Sequence, residues 1–176
     1  LLDILRSGGF SRAVGVEPDP DARCVAIESR GLEVHDGTAE LLPSVLAPAS
    51  FDAVCMSHVL EHCLDVNAAV RNARALLRPG GVVVIEVPNN SARAFGRQAG
   101  EWPWADVPRH LNFFSRRSLE AILRLHGLEP RLVTYRGFAR QFSPEWARAE
   151  LQIRRAFAEA EGRSDPGPRP EFDRWL

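Results

Sequence analysis

Residues 50–87 contain Ser50-Phe-Asp-Ala-Val-Cys-Met-Ser-His-Val-Leu-Glu-His62, a helical repeat of Val66, Ala69, Val70, Ala73, Leu76 and Leu77, then Pro79-Gly-Gly81 and Val82-Val-Val-Ile-Glu-Val87. Phe51–Met56 and Val82–Val87 are short apolar runs of strand length. Continuous apolar runs suit strands buried on both faces of a parallel sheet. Between them the apolar residues recur at the spacing of one helix face. Asp65 supplies a helix cap, and Pro79-Gly80-Gly81 supplies the stop. Strand, helix and strand in that order imply parallel pairing through a right-handed crossover.

The same alternation continues on either side. Upstream, Leu1–Arg6 reads as a helix stopped by Ser7-Gly8-Gly9, and Ala13–Val16 as a strand ending at Glu17. Asp19 then caps a helix, with Pro20 in its first turn and Asp21 complementing its dipole. Leu32–Val34 is a further strand. Downstream, Pro88-Asn89-Asn90 opens a loop, and residues 91–114 are irregular and aromatic, with Trp102, Trp104, Phe113 and Phe114. A helix follows with Leu119, Ile122, Leu123 and His126 on one face and Gly127 at its stop. Leu132–Tyr135 reads as a last strand, and residues 144–161 as a charged amphipathic helix. Arg163–Pro170 is rich in proline and glycine, the composition of a linker. The expectation is a layered α/β sandwich with a mostly parallel sheet over residues 1–142, followed by a C-terminal helix and tail over 143–176. In such sheets ligands bind at the carboxyl ends of the strands. That rule directs attention to Glu17, Asp36–Glu40, Ser57–His62 and Pro88–Asn90.

The bulk properties bound the function. The chain has 176 residues, 45% hydrophobic and 26% charged, which is ordinary for a soluble domain. The net charge of −1 offers no electrostatic case for nucleic acid or an anionic membrane. No apolar run approaches the ~18 residues of a membrane span. Cys24, Cys55 and Cys63 are odd in number, which points to reduced thiols and a cytoplasmic protein rather than a disulfide framework.

Glu17 ends a strand that faces the expected crevice, where a carboxylate can accept hydrogen bonds from a ribose diol. A solvated acid at a strand end is the plain alternative. Gly15-Val-Glu-Pro-Asp19, His35-Asp-Gly-Thr-Ala-Glu-Leu-Leu-Pro43, Ser50–His62 and Leu77-Arg-Pro-Gly-Gly81 follow one another in an order and spacing that resembles class I S-adenosylmethionine-dependent methyltransferases. The resemblance is strongest to the small-molecule group that includes ubiquinone-type O-methyltransferases. It spans about Leu1 to Tyr135 and implies a Rossmann-like three-layer fold. It also implies S-adenosyl-L-methionine as cofactor and a small-molecule methyl acceptor, with oxygen, nitrogen or carbon as the accepting atom.

The resemblance carries over residue by residue. Glu17, with Pro18 beside it, matches the ribose-binding acid. Thr38 and Ala39 match the pair beside the adenine, where the family often has an aspartate at the position of Thr38; Asp36 or Glu40 could substitute. Ser57 and His58 match the residues lining the methionine end of the cofactor. Asp106-Val-Pro-Arg-His-Leu-Asn-Phe-Phe114 resembles a segment that closes over the substrate, and His110 within it is a candidate general base. A structural loop histidine is the alternative for His110. The family's glycine-rich motif would fall before Leu1, so the expectation is an N-terminally truncated chain whose sheet has a gap. The family's final antiparallel strand is not evident after Tyr135.

Three other readings stand beside this one. His58-Val-Leu-Glu-His62 fits H-x-x-E-H, an inverted zinc-peptidase motif using His58, Glu61 and His62. A nicotinamide-binding Rossmann domain also places an acid at Glu17. The chain could also be an inactive or interaction fragment of a methyltransferase-like fold. Trp102 and Trp104 could line a substrate pocket or pack a lid. Arg93, Arg97 and Arg109 could meet an anionic substrate or stay solvated.

Overall fold

The computed structural model describes residues 1–98, 105–135, 144–160, 162–165 and 167. The chain forms two compact units, one of Leu1–Val87 with Leu125–Leu128 and one of Pro88–Arg124 with Glu129–Leu176.

The crossover that the sequence marked most clearly is the centre of the first unit. Helix α3 (Val66–Leu76) follows helix α1 (Leu2–Ser7) and helix α2 (Pro20–Cys24) in chain order. The Asp65 side chain accepts from the Ala68 amide at 3.0 Å, satisfying one of the donors left open at a helix start. Val66, Ala69, Val70, Ala73 and Leu76 are the buried residues of α3, spaced three and four apart along one face. That face packs on strands β3 (Phe51–Ser57) and β4 (Leu77–Glu86). The two strands run parallel, with Ala53 opposite Val82 and Ser57 opposite Glu86.

Strand β4 begins directly after α3, earlier than the Val82 start that the sequence suggested. Phe51 pairs with Leu77 and Ala53 already with Val82, so Arg78–Gly81 bulge out of the register. Gly80 has φ +81°, a backbone that suits only glycine without strain. Asp52 and Arg78 form an ion pair across this bulge. A second difference concerns burial. β3 and β4 are buried on one face, not both. Val82 and Val84 are 57% and 56% exposed, and Ala53 and Cys55 beside them are exposed too. Alternation puts these four side chains on the face away from α3, and none of the described elements covers it.

Strand β1 (Val14–Val16) pairs in parallel with β2 (Glu33–His35), Val14 opposite Glu33 and Val16 opposite His35. Between them, α2 is capped by Asp19, whose Oδ1 accepts from the Asp21 and Ala22 amides at 2.9 Å each. A further helical turn, Val25–Ser29, leads to β2. Among the described residues β1–β2 and β3–β4 are separate two-stranded sheets. Arg12 grips Glu33 with two hydrogen bonds, of 2.6 and 3.2 Å, and His35 lies 3.2 Å away. The Arg12 guanidinium, then His35, hold the Glu33 carboxyl down at about 2.

In the second unit, Asn89 bridges to Phe114, and the Asn90 amide donates to the Phe114 carbonyl at 2.8 Å. Helix α4 (Arg93–Gln98) follows that loop, and helix α5 (Arg116–Leu125) follows Phe114. Ser115 and Ser118 cap α5 reciprocally, each hydroxyl accepting from the other's amide, at 3.0 and 3.1 Å. Leu123 is buried on its apolar face. Helix α6 (Pro144–Ala160) matches the amphipathic segment expected there. Leu132–Tyr135 is not a strand. Its side chains are largely exposed, and no described segment offers it a ladder partner, which the alternating pattern needs in order to become a strand. Trp102 and Trp104 lie outside the described residues. No described helix is long and apolar enough to cross a membrane.

Two predictions follow from these contacts. Leu60 is 0% exposed. Leu60→Ala should lower stability by about 2–5 kcal/mol, because the cavity it leaves adds to the lost transfer energy. Urea unfolding measures it, and a loss below about 1 kcal/mol would show that the site collapses freely. Glu33 has a folded pKa below its ordinary value. Its stabilising effect is therefore present above pH 4.5 and is lost as pH falls towards about 2. Thermal melts of Glu33→Gln should show a shallower fall over that window than the wild type. Parallel curves would mean that the Arg12–Glu33 pair does not contribute in solution.

Candidate functional site

The carboxyl ends of the strands present the residues singled out by the sequence. Glu17 is the first residue beyond β1, and its amide donates to the His35 carbonyl at 3.0 Å, extending the β1–β2 ladder by one bond. The residue is half-buried, and Oε1 accepts from the Asp19 amide at 3.0 Å. No second partner is found for this carboxylate among the described residues. Arg23 from α2 donates to the Glu17 carbonyl at 2.7 Å and reaches Asp36 at 3.0 Å. The acid is thus held at the strand end by its own loop and by the helix that follows. Pro18, next to it, is exposed.

The loop after β2 is fixed from within and from α3. Gly37 has φ +150°, and a Cβ there would lie 2.8 Å from the Leu41 carbonyl oxygen, so the loop admits only glycine at this point. Thr38 closes the turn. Its hydroxyl accepts from the amides of Glu40 and Leu41 at 3.2 and 3.0 Å. The Ala39 and Glu40 carbonyls accept from the Asn72 side chain on α3 at 2.9 and 2.8 Å. Glu40 Oε1 accepts from the Asp65 amide at 2.6 Å. The carboxylate of Glu40 is therefore engaged at the start of α3. Asp36 is 76% exposed and paired with Arg23. Each of the two residues that could stand in for the family's aspartate has one carboxylate oxygen engaged, Asp36 by Arg23 and Glu40 by the Asp65 amide.

Ser57 and His58 come together where β3 and β4 end. The Ser57 hydroxyl donates to Glu86 Oε2 at 2.8 Å, and the His58 amide donates to the Glu86 carbonyl at 2.9 Å. His58 Nε2 lies 3.9 Å from Glu86 Oε1. The backbone of His58 is left-handed, with φ +54°. That conformation costs a non-glycine residue about 1–2 kcal/mol and persists only where surroundings enforce it, most often at functional sites. His58 Nδ1 lies 2.9 Å from Oε1 of Glu61, a residue only 1% exposed. Glu61 Oε2 is buried without a hydrogen-bond partner among the described residues. Glu86 was not singled out from sequence. The signal was present, however, since a lone carboxylate in an otherwise apolar strand is a poor core residue unless it is paired.

The second unit carries Asp106–Phe114. His110 is buried at 7% exposure, its amide bonded to the Asp106 carbonyl at 3.0 Å and its Nε2 3.9 Å from Asp106 Oδ2. Arg109 binds the same Asp106 oxygen through Nε and Nη2, at 2.9 and 2.5 Å. Arg109 is thus paired within its own loop. Burial also governs the Cys63 thiol. Burial, then the nearby acids Glu40, Glu61 and Asp65, push the Cys63 thiol up to about 11. None of the three cysteines is in a disulfide.

A family model described as a methyltransferase domain matches residues 1–133. The ubiquinone biosynthesis O-methyltransferase of Azorhizobium caulinodans is 33% identical over 149 residues, covering 73% of this chain and 58% of that protein. The protein of the same name from Chromobacterium violaceum is 35% identical over 75 residues, covering 43% of this chain and 27% of that one. Among solved structures, a Thermotoga maritima S-adenosylmethionine-dependent methyltransferase, described as a possible histamine N-methyltransferase, is 29% identical. It aligns with a TM-score of 0.56 and covers 66% of this chain and 55% of the other. The chain spans less than two thirds of the length of these relatives. Its parallel α/β pairs, ordered motifs and family match agree: the chain belongs to the methyltransferase-domain family, of the class I, S-adenosylmethionine-dependent, Rossmann-like kind.

Proposed function

We propose that the protein transfers a methyl group from S-adenosylmethionine to a hydroxyl oxygen of a small molecule. The observation that carries this is Glu17. The residue is half-buried, and its carboxylate stands at the carboxyl end of a parallel strand with one oxygen engaged by the Asp19 amide. The carboxylate keeps acceptor capacity for a ribose hydroxyl, which fits the cofactor at this position. Pro18 would border the ribose, and Thr38 and Ala39 would flank the adenine. The fixed turn of the loop after β2 supports this, because a preformed loop loses little entropy on binding. Ser57 and His58 would line the methionine end beside Glu86. Residues 1–142 would then be the methyltransferase core, with residues 143–176 as an appended helix and tail, in a cytoplasmic protein without nucleic-acid or membrane partners.

The cofactor's sulfonium supplies a methyl group already activated for transfer to a nucleophile. The chain's own residues are left to align acceptor and methyl in line and to exclude water, which can contribute most of the acceleration. His110 is the group proposed to take the proton from the acceptor hydroxyl. Its burial excludes water, and Asp106 beside it would stabilise the charge that the ring gains. The choice of oxygen rests on the two relatives named as O-methyltransferases.

Glu17→Ala should weaken binding of S-adenosylhomocysteine by about 1–3 kcal/mol, the loss of hydrogen bonds to a charged group. Unchanged affinity in calorimetry would remove Glu17 from the site. His110→Ala should lower turnover by at least about 100-fold, the usual contribution of a general base, while cofactor affinity stays near the wild-type value. Equal turnover would leave His110 as a structural residue.

A further inference from the structure

Glu61 is 1% exposed, and the proposed chemistry makes no use of it. It sits in the helical turn Leu60–His62, just after the end of β3. The turn does not need its side chain. The His62 amide donates to the Val59 carbonyl at 3.0 Å and the Cys63 amide to the Leu60 carbonyl at 3.3 Å, both without Glu61's carboxylate. A carboxylate withdrawn from water with one oxygen unpartnered is expensive unless it performs a task that an apolar side chain cannot. The one hydrogen bond Glu61 makes among the described residues is to His58 Nδ1, at 2.9 Å.

His58 itself is held in an unusual way. Its backbone is left-handed at φ +54°, and its amide is tied to the Glu86 carbonyl on the neighbouring strand. The strained backbone fixes where the ring begins, and Glu61 fixes which ring edge turns inward. We infer that Glu61 is a positioning residue for His58. A carboxylate only accepts, so the shared proton sits on Nδ1 in either charge state of the ring. Nε2 is then the atom turned towards Glu86 at the strand ends. In the neutral ring that nitrogen is an acceptor, suited to an ammonium or hydroxyl group of a bound ligand. This inference rests on the reading that His58 lines the ligand site.

Long-range proton–nitrogen NMR of the histidine rings tests it without any ligand. The neutral His58 ring should carry its proton on Nδ1 in the wild type and in Glu61→Gln, whose amide oxygen still accepts. Glu61→Leu should shift the proton to Nε2, the form favoured in water. Where the leucine variant does not fold, Glu61→Asp reads the same contact, because the shorter side chain withdraws the carboxylate. A tautomer unchanged by these variants would overturn the inference. Calorimetry then reads the consequence. Glu61→Leu should weaken S-adenosylhomocysteine binding about tenfold, and should add nothing in a His58→Ala background. Equal losses with and without His58 would show that Glu61 acts on the fold and not through the ring. Absence of S-adenosylhomocysteine binding by the wild type would count against the proposed function, while the ring spectra would still decide the role of Glu61.

Discussion

The fold of the first unit depends on the burial of one face of α3 against the parallel pair β3–β4. Val66, Ala69, Val70, Ala73 and Leu76 make that face. Burying several aliphatic side chains contributes about 1.5–3 kcal/mol for each large one, more than any polar contact nearby. The residues at the ends of β3 and β4 inherit their position from this packing. The Asn72 side chain on the same helix holds two carbonyls of the loop after β2, and the amide of Asp65 at its start holds Glu40. One helix therefore sets both the register of its own strands and the course of a loop that belongs to another strand pair. Polar contacts of this kind add little to stability, but they remove alternatives.

The polar residues at the strand ends are arranged differently from those on the rest of the surface. Exposed pairs such as Arg78–Asp52 and Arg6–Asp3 stand in water, where ion pairs contribute little. Ser57, His58, Glu61 and Glu86 instead form a connected set around the ends of β3 and β4, with Glu61 fully buried and His58 strained. Strain and buried charge reduce stability, and their coincidence at the carboxyl ends of parallel strands agrees with ligand binding there.

Much of this was legible in the sequence, for physical reasons that differ by element. The α3 crossover was readable because its cap, its apolar spacing and its stop all agree. The α2 start was readable from Asp19 and Pro20 for the same reason. The Gly80 bulge was not, because a glycine after proline marks a turn equally well outside a strand or within one. The exposed face of β3–β4 and the unpaired Leu132–Tyr135 were misjudged because an apolar run reports what a strand could bury, whereas burial depends on what else covers it. At the site, Glu17, Ser57 and His58 stood out through motif order. Glu61 appeared only within a metal-binding motif, and Glu86 was hidden inside a strand. The contact that gives Glu86 its meaning, to Ser57, arises only when β3 and β4 pair.

The central claim is that the carboxyl ends of these strands form a S-adenosylmethionine site. Amide NMR during titration with S-adenosylhomocysteine tests it most directly. The account predicts saturable shifts at Glu17, Thr38, Ala39, Ser57 and His58, with the exposed face of Val82 and Val84 unmoved. Shifts confined to other parts of the chain, or none at saturating ligand, would contradict it.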